Sequence, residues 1–258
     1  MAFIIDTGCW GCDAGSQSLV RVYRDASGVI RSETILDPTD FDAISPTSGP
    51  LINGFAIARD ASMMAVSLCI EGTCGPGGII EWEADSLATV MLSTDGGITW
   101  EEIGRGGPAL QVIGLVAGGG VLTVNYLERL GGIEFRILPG NELIEPPAGA
   151  SNQPYAHPST LDGQIFWRTK DGEGVLYSDG SVLVSADDEF RPLGTGIGEL
   201  TPGAGRLLID GLPSGSSSQA YALAAYDVSD RIAARQQIYT SPGYARPGWW
   251  SPGDGQAV

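Results

Sequence analysis

Basic side chains, histidine and long apolar runs are all scarce in this chain. It carries 14 Lys and Arg against 31 Asp and Glu, a formal charge of −17. A duplex-binding surface needs a basic footprint that releases counterions, so nucleic acid is not an expected partner. Anionic membrane is disfavoured for the same reason. No apolar run approaches the roughly 18 residues that span a bilayer, so membrane insertion is not expected. A solvated acidic surface is the plain account of the charge; an acidic groove for cations or sugars is the alternative. The sole histidine, His157, lies in Asn152-Gln153-Pro154-Tyr155-Ala156-His157-Pro158. No nucleophile elbow is near it, which leaves a Ser/His/Asp triad without support. The Gly-Lys phosphate loop, the His-Glu-x-x-His zinc motif and the EF-hand pattern are all missing. Asp-Gly pairs such as Asp171-Gly172 and Asp179-Gly180 can hold calcium, but hairpin geometry alone explains them. No cofactor is expected, calcium being the one open option. The opening Met1-Ala2-Phe3-Ile4-Ile5-Asp6 has no basic region and too short an apolar stretch for a signal peptide. Either the protein is made without one, or this sequence starts after it.

What is present points to β structure. Of 258 residues, 43% are hydrophobic and only 17% charged, enough for a substantial core in one all-β domain spanning 1–258. Glycine at 38 and proline at 16 are both high without a triplet period, which suggests many short strands joined by tight turns. Heptads and long 3.6-residue periodicities are lacking, so little helix is expected. The four cysteines form two close pairs, Cys9/Cys12 and Cys69/Cys74. Local disulfides, a four-thiolate zinc site and a redox C-x-x-C compete. The second spacing is loose for zinc, and Asp13-Ala14-Gly15-Ser16 reads as loop where a redox motif needs a helix. Two local disulfides are therefore the expectation, and they imply an oxidising compartment, secreted or at the cell surface.

One grammar recurs along the chain: an apolar alternating strand, a polar turn rich in Asp and Gly, and another strand. The copies are Val20–Tyr23 with Val29–Ile35, Val90–Ser93 with Ile98–Ile103, and Phe135–Leu138 with Glu142–Ile144. Two more are Val182–Ser185 with Phe190–Leu193, and Leu223–Tyr226 with Arg231–Tyr239. Their turn markers Asp25, Asp95, Gly140, Asp187 and Asp227 are spaced 70, 45, 47 and 40 residues apart. Units of about 40 to 50 residues match one four-stranded propeller blade. Insertions after Asp37 and from Cys69 to Asp85 account for the long first interval. Each hairpin is preceded by a further strand: Phe3–Ile5, Met64–Leu68, Val121–Val124, Gln164–Trp167 and Arg206–Ile209. Both cysteine pairs follow this strand in successive units, which favours local staples over a shared metal.

The ends also correspond. Gly248 to Val258 parallels Gly54 to Val66, so the C-terminal segment can supply the inner strand of a blade that opens with Phe3 to Thr7. Closure of that kind removes an exposed sheet edge. The expected fold is a five-bladed β-propeller of four-stranded antiparallel blades closed by the C-terminal strand. An open β-sandwich or a piece of a larger propeller is the alternative.

Ser93-Thr94-Asp95-Gly96-Gly97-Ile98-Thr99-Trp100 reads S-x-D-x-G-x-T-W. It resembles the Asp-box, or BNR repeat, of the sialidase-like superfamily, complete across eight positions. Tyr177-Ser178-Asp179-Gly180 and Ser185-Ala186-Asp187 are degenerate echoes. In that family the motif sits at the hairpin between a blade's outer strands, remote from the central site. The resemblance thus implies that Ser93, Asp95, Gly97, Thr99 and Trp100 stabilise the fold and do not catalyse. Elementary chemistry agrees: the carboxylate accepts turn amides, glycine takes positive φ, and the aromatic packs between sheets. Catalytic sialidases share an arginine cluster, a Tyr/Glu nucleophile pair and an Asp acid/base. Phe135-Arg136-Ile137-Leu138-Pro139 is similar to the family's F-R-I-P motif, but Leu138 is inserted and the segment follows the Asp-box. Arg136 is therefore read as an outward strand residue. A glycosidase would need a carboxylate pair in the funnel at about 5.5 Å, or about 6.5–9.5 Å for inversion. Asp6, Glu81, Asp162 and Asp210 are candidates by count alone.

Recognition is the favoured function. Propeller loops carry function on a rigid scaffold, and irregular stretches run over 37–53, 146–159 and 212–218. The candidate ligand-binding residues are Tyr155, His157, Trp249 and Trp250, able to stack on sugar faces or to anchor a peptide. Strand alternation sends Trp249 and Trp250 to opposite faces, one buried and one available. Expected partners are a glycan or a protein ligand at a rim; a glycoside hydrolase and a purely architectural propeller of a larger surface protein are the alternatives.

Overall fold

A computed structural model of the chain describes residues 2–6, 18–37, 51–69, 88–107, 110–127, 132–151, 158–170, 174–185, 200–203, 206–211, 220–229 and 232–242. The fold is all-β, built of several small sheets, with one three-residue helical turn at Ala117–Gly119. The strands group in chain order. The first sheet holds β1 (Ala2–Asp6), β2 (Ser18–Arg24) and β3 (Ile30–Leu36). The second holds β4 (Leu51–Ile57), β5 (Met64–Cys69), β6 (Ala88–Ser93) and β7 (Glu101–Gly106). The third holds β8 (Gln111–Val116), β9 (Gly120–Leu127), β10 (Gly132–Leu138) and β11 (Glu142–Ile144). The fourth holds β12 (Ser159–Leu161), β13 (Gln164–Arg168) and β14 (Val175–Tyr177). The fifth sheet contains β15 (Val184–Ser185), β16 (Leu200–Gly203), β17 (Arg206–Gly211), β18 (Ala220–Ser229) and β19 (Ile232–Pro242). Within each sheet, chain-consecutive strands lie side by side; β15 alone departs, pairing parallel to β19.

The five strands expected ahead of each hairpin are present as β1, β5, β9, β13 and β17. Among the described residues the second and third sheets have four antiparallel strands, the first and fourth have three, and the fifth has five with a parallel pair. A reversal also precedes the fourth expected hairpin. Its turn is Ser178–Ser181, closed by Gly180 N–H donating to Tyr177 O at 2.9 Å and Tyr177 N–H donating to Ser181 O at 2.9 Å. Val182 follows that turn and bridges to Leu176, so Val182–Ser185 comes after the reversal and not before it. The proposed turn at 186–189 and its second strand at 190–193 lie outside the described residues. Gly180 closes the reversal at φ 82°, which glycine takes without a Cβ penalty. In the fifth sheet β18 runs on through Asp227 to Ser229, so strand continues where a turn from Asp227 was expected.

The chain forms two compact units: 1–115 with 119–144, and 116–118 with 145–258. In the first unit the second sheet is buried on both faces, which the sequence of β5 accounts for. Met64, Val66 and Leu68 point one way and pack with Leu19, Leu36, Ile52 and Met91. Ala65, with Ala88 and Val90 of β6, points the other way against Leu110, Val112, Val121 and Leu138. Period-two alternation thus sends the large side chains of β5 to one face and Ala65 to the other. Each fully buried Val, Leu or Met stabilises by about 1.5–3 kcal/mol.

Two contacts repeat between successive sheets of this unit. Ile35, near the end of β3, lies against Gly97 in the closing hairpin of the second sheet. Gly104, in the second half of β7, lies against Leu138, which leads into the closing hairpin of the third; a Cβ there would stand 2.7 Å from Leu138 Cδ1. The first strands also meet. A Cβ on Gly54 of β4 would stand 2.5 Å from Val112 O of β8, so glycine is required for that approach. In the second unit Phe166, Trp167, Val175, Leu176, Tyr177 and Leu183 form the core, with the Phe166 and Tyr177 rings 4.9 Å apart. There too β12 and β16, the first strand and the edge strand of their sheets, come within 8 Å at Cα.

Candidate functional site

The hairpin between β6 and β7 holds the one complete motif, and its chemistry is inward-looking. Ser93 ends β6 nearly fully buried; its hydroxyl donates to Asp95 Oδ1 at 2.8 Å and accepts from Gly97 N–H at 2.8 Å. Asp95 Oδ1 also accepts from Ile98 N–H at 3.1 Å and Thr99 N–H at 2.9 Å. Its Oδ2 accepts from the Thr99 hydroxyl at 2.6 Å. These donors favour the anion, the Thr99 hydroxyl most, and hold the Asp95 carboxyl at about 2, below the ordinary 3.8. Gly96 and Gly97 supply φ of 76° and 92°. Trp100 is half-buried among Leu19, Leu36 and Met64 between the first and second sheets, its indole N–H shared between Gly97 O at 3.1 Å and Ile35 O at 3.3 Å. Gly96 N–H donates to Ser62 O at 3.0 Å, tying in the β4–β5 turn. The carboxylate spends its lone pairs on its own turn.

The same device occurs in three further turns, at Asp25, Asp60 and the degenerate echo at Asp179. Asp25 Oδ1 accepts from Ser27 N–H at 2.9 Å, its hydroxyl at 2.6 Å and Val29 N–H at 3.0 Å, while Oδ2 takes Arg31 Nε at 2.9 Å. Bonding to Ser27 first, then Arg31, holds Asp25 at about 2 as well. Asp60 and Asp179 bond the amide and hydroxyl of Ser62 and Ser181 in the same way. The readable signal is Asp-x-Ser at a turn, a shorter relative of the longer motif.

Of the remaining candidates, Tyr155, His157, Trp249, Trp250, Cys9, Cys12, Cys74 and Glu81 lie outside the described residues. Cys69 ends β5, its backbone paired with Leu51 and Ala88; Asp6 ends β1 and Asp210 lies in β17, and their side chains are likewise outside the description. Asp162 is exposed, at φ 47° in the turn from β12 to β13. Arg136 is half-buried in β10 and engaged within its own hairpin, with Glu134 Oε2 at 3.2 Å and the Asn141 carbonyl and side-chain oxygens at 3.3 Å. Among the described residues no group of three or more His, Cys, Asp or Glu side chains is placed to hold a metal.

One buried polar junction was missed by sequence reasoning. Ser67, fully buried in β5, donates to Gly54 O at 3.3 Å and accepts from Val112 N–H at 3.0 Å. It joins β4, β5 and β8. Its signal was a serine on the small-residue face of an otherwise apolar strand, in the same unit as a strand glycine.

Compared with protein-family models and with curated proteins, the chain matches none of either.

Proposed function

We propose that the chain is a five-bladed β-propeller serving as a non-enzymatic recognition module, outside the cell or at its surface, for a glycan or protein ligand. The observation that carries this reading is the Asp-box hairpin, whose carboxylate accepts from Ser93, Ile98 and Thr99 within its own turn. A group held below the carboxylate range by its own turn is not available as an acid or base near neutral pH. What remains is scaffold: five consecutive sheets of chain-adjacent strands. The blade reading is supported by the recurring inter-sheet contact, Ile35 on Gly97 and then Gly104 on Leu138. A relation applied twice between successive units is what a rotational repeat requires. The meeting of β4 with β8 and of β12 with β16 supports strands converging on an axis. The first sheet starts one strand late, with β1 at its edge, and residues 248–258 are the segment suited to fill that position.

Ligand contact is assigned to Tyr155, His157, Trp249 and Trp250. The test is a glycan array and a panel of fluorogenic glycosides, run on the wild type and on Trp249→Ala and Trp250→Ala. The expected result is glycan binding lost in at least one variant, with no hydrolysis. Turnover that survives in both variants but is abolished by Asp162→Asn or Asp210→Asn would replace this reading with a glycosidase.

A further inference from the structure

Strand β3 is exposed at every position from Ile30 to Thr34, on both of its faces, and among the described residues it pairs only with β2. Its second edge is open. Arg31 and Glu33 can be read as plain guards, since sheet edges blunt unwanted pairing with charge. The order of these charges along the strand does more than guard. The other closing strands of the unit are less suited to pairing: β7 carries Gly104 and Gly106, both half-buried, and β11 has three residues.

The hydrogen-bonding phase of β3 is set by the reversal before it. Asp25 N–H donates to Val29 O at 2.9 Å across the hairpin. Val29, Arg31 and Glu33 therefore turn their backbone groups toward β2, and Ile30, Ser32 and Thr34 turn theirs toward the open edge. A further strand can bond only to those three. The run Ile30-Arg31-Ser32-Glu33-Thr34 is complementary to itself about Ser32. A two-fold axis there sets Ser32 opposite Ser32, Ile30 opposite Thr34, and Arg31 opposite Glu33 of the other copy. The Arg31–Glu33 pairs then occupy the non-hydrogen-bonded positions, where facing side chains stand closest. Moving the axis by one residue would set Arg31 on Arg31, or Glu33 on Glu33. Charge thus admits one register and rejects its neighbours.

Both side chains have bonding capacity to spare. Arg31 gives only its Nε, to Asp25, and Glu33 uses only Oε2, for Arg21. They are 58% and 48% exposed. We propose that β3 is a homodimerisation edge, at which two copies of the chain join antiparallel about Ser32 and continue the first sheet from one copy into the other. The contact supplies about six backbone hydrogen bonds, with the Arg31–Glu33 pair made once on each side of the axis. A single strand edge is smaller than a standard interface, so the dimer is a weak one, with Kd on the order of 10–100 µM.

The test is sedimentation of the full chain over about 1–300 µM. The charge of −17 on each copy opposes the contact. Association is therefore read at about 0.15 M salt, where repulsion beyond about 8 Å is screened and the facing pairs are not. The wild type is expected to pass from monomer to dimer across that range. Ser32→Pro removes the central outward N–H at an edge position where the monomer tolerates proline, and should weaken the dimer about tenfold or more with Tm kept. Arg31→Glu sets two carboxylates against each other at each site, and Glu33→Arg sets two guanidiniums. Each should be monomeric alone, and an equimolar mixture should dimerise again, because the mixed pair restores opposite charges at both sites. Ser32→Pro leaves every ion pair in place and decides the matter if a charge variant melts early. A wild type that stays monomeric to about 300 µM would overturn the proposal. So would a dimer indifferent to Ser32→Pro, or a mixture of the two charge variants that remains monomeric.

Discussion

Replacing Ser67 by alanine should cost more than any other single-oxygen deletion in the first unit. The hydroxyl is fully buried and accepts from the Val112 amide of β8, an edge strand of its sheet, so that amide has no ladder acceptor on this side. In Ser67→Ala the cavity is small and the added apolar character slightly favourable. The cost lies in Val112 N–H, left buried without an acceptor, at about 1–3 kcal/mol. Losing the longer bond to Gly54 O adds little. For a chain of this size the change amounts to a fall in Tm on the order of 2–10 °C. Urea unfolding followed by tryptophan fluorescence gives the free energy, with calorimetry alongside because two compact units need not melt together. Ser32→Ala, on the exposed strand β3, is the control and should stay within about 0.5 kcal/mol of wild type. Amide exchange should accelerate at Val112 more than at neighbouring β8 positions. If Ser67→Ala matches Ser32→Ala in stability and Val112 exchanges as in wild type, the inter-sheet tie described for Ser67 does not exist.

Three further expectations follow from the turns and the charge. Gly28 and Gly97 both have positive φ, but a Cβ on Gly28 meets nothing within 4 Å whereas one on Gly97 collides with Ile35. Gly28→Ala should therefore cost about 1–2 kcal/mol of backbone strain alone, and Gly97→Ala clearly more in the same urea assay. Asp25 and Asp95 are held at about 2, below the ordinary 3.8, so their stabilisation is complete above pH about 4 and is lost as pH falls toward 2. The double variant Asp25→Asn/Asp95→Asn should show a flatter acid limb between those values in thermal melts across pH. Finally, 31 acidic against 14 basic residues leave most carboxylates without a partner. Screening of their repulsion should raise Tm by a few degrees as ionic strength rises above about 0.1 M; a fall in Tm would mean that ion pairs such as Arg105–Glu102 dominate instead.

The sequence alone determined the class of structure and the placement of most strands, because period-two alternation and Asp-Gly turns are local properties. Met64-Ala65-Val66-Ser67-Leu68 could be assigned as a strand from side-chain sizes, and the Asp95 network from its spacing, since every group that bonds Asp95 lies within four residues. At 178–181 the sequence offered only a degenerate echo of the motif, and the backbone bonds among Tyr177, Gly180 and Ser181 show a closed reversal there. The Ser67 junction was out of reach for a different reason. Its partners Gly54 and Val112 are 13 and 45 residues away, and a serine in an apolar strand does not announce which distant amide it must satisfy. The same holds for the exposed aliphatics: Ile98 and Leu143 read as strand-formers with a face to bury, and only the packing of the sheets leaves that face in water. Local hydrogen bonding is written in neighbouring residues, whereas which surfaces are covered is settled by segments that meet only after the chain has folded.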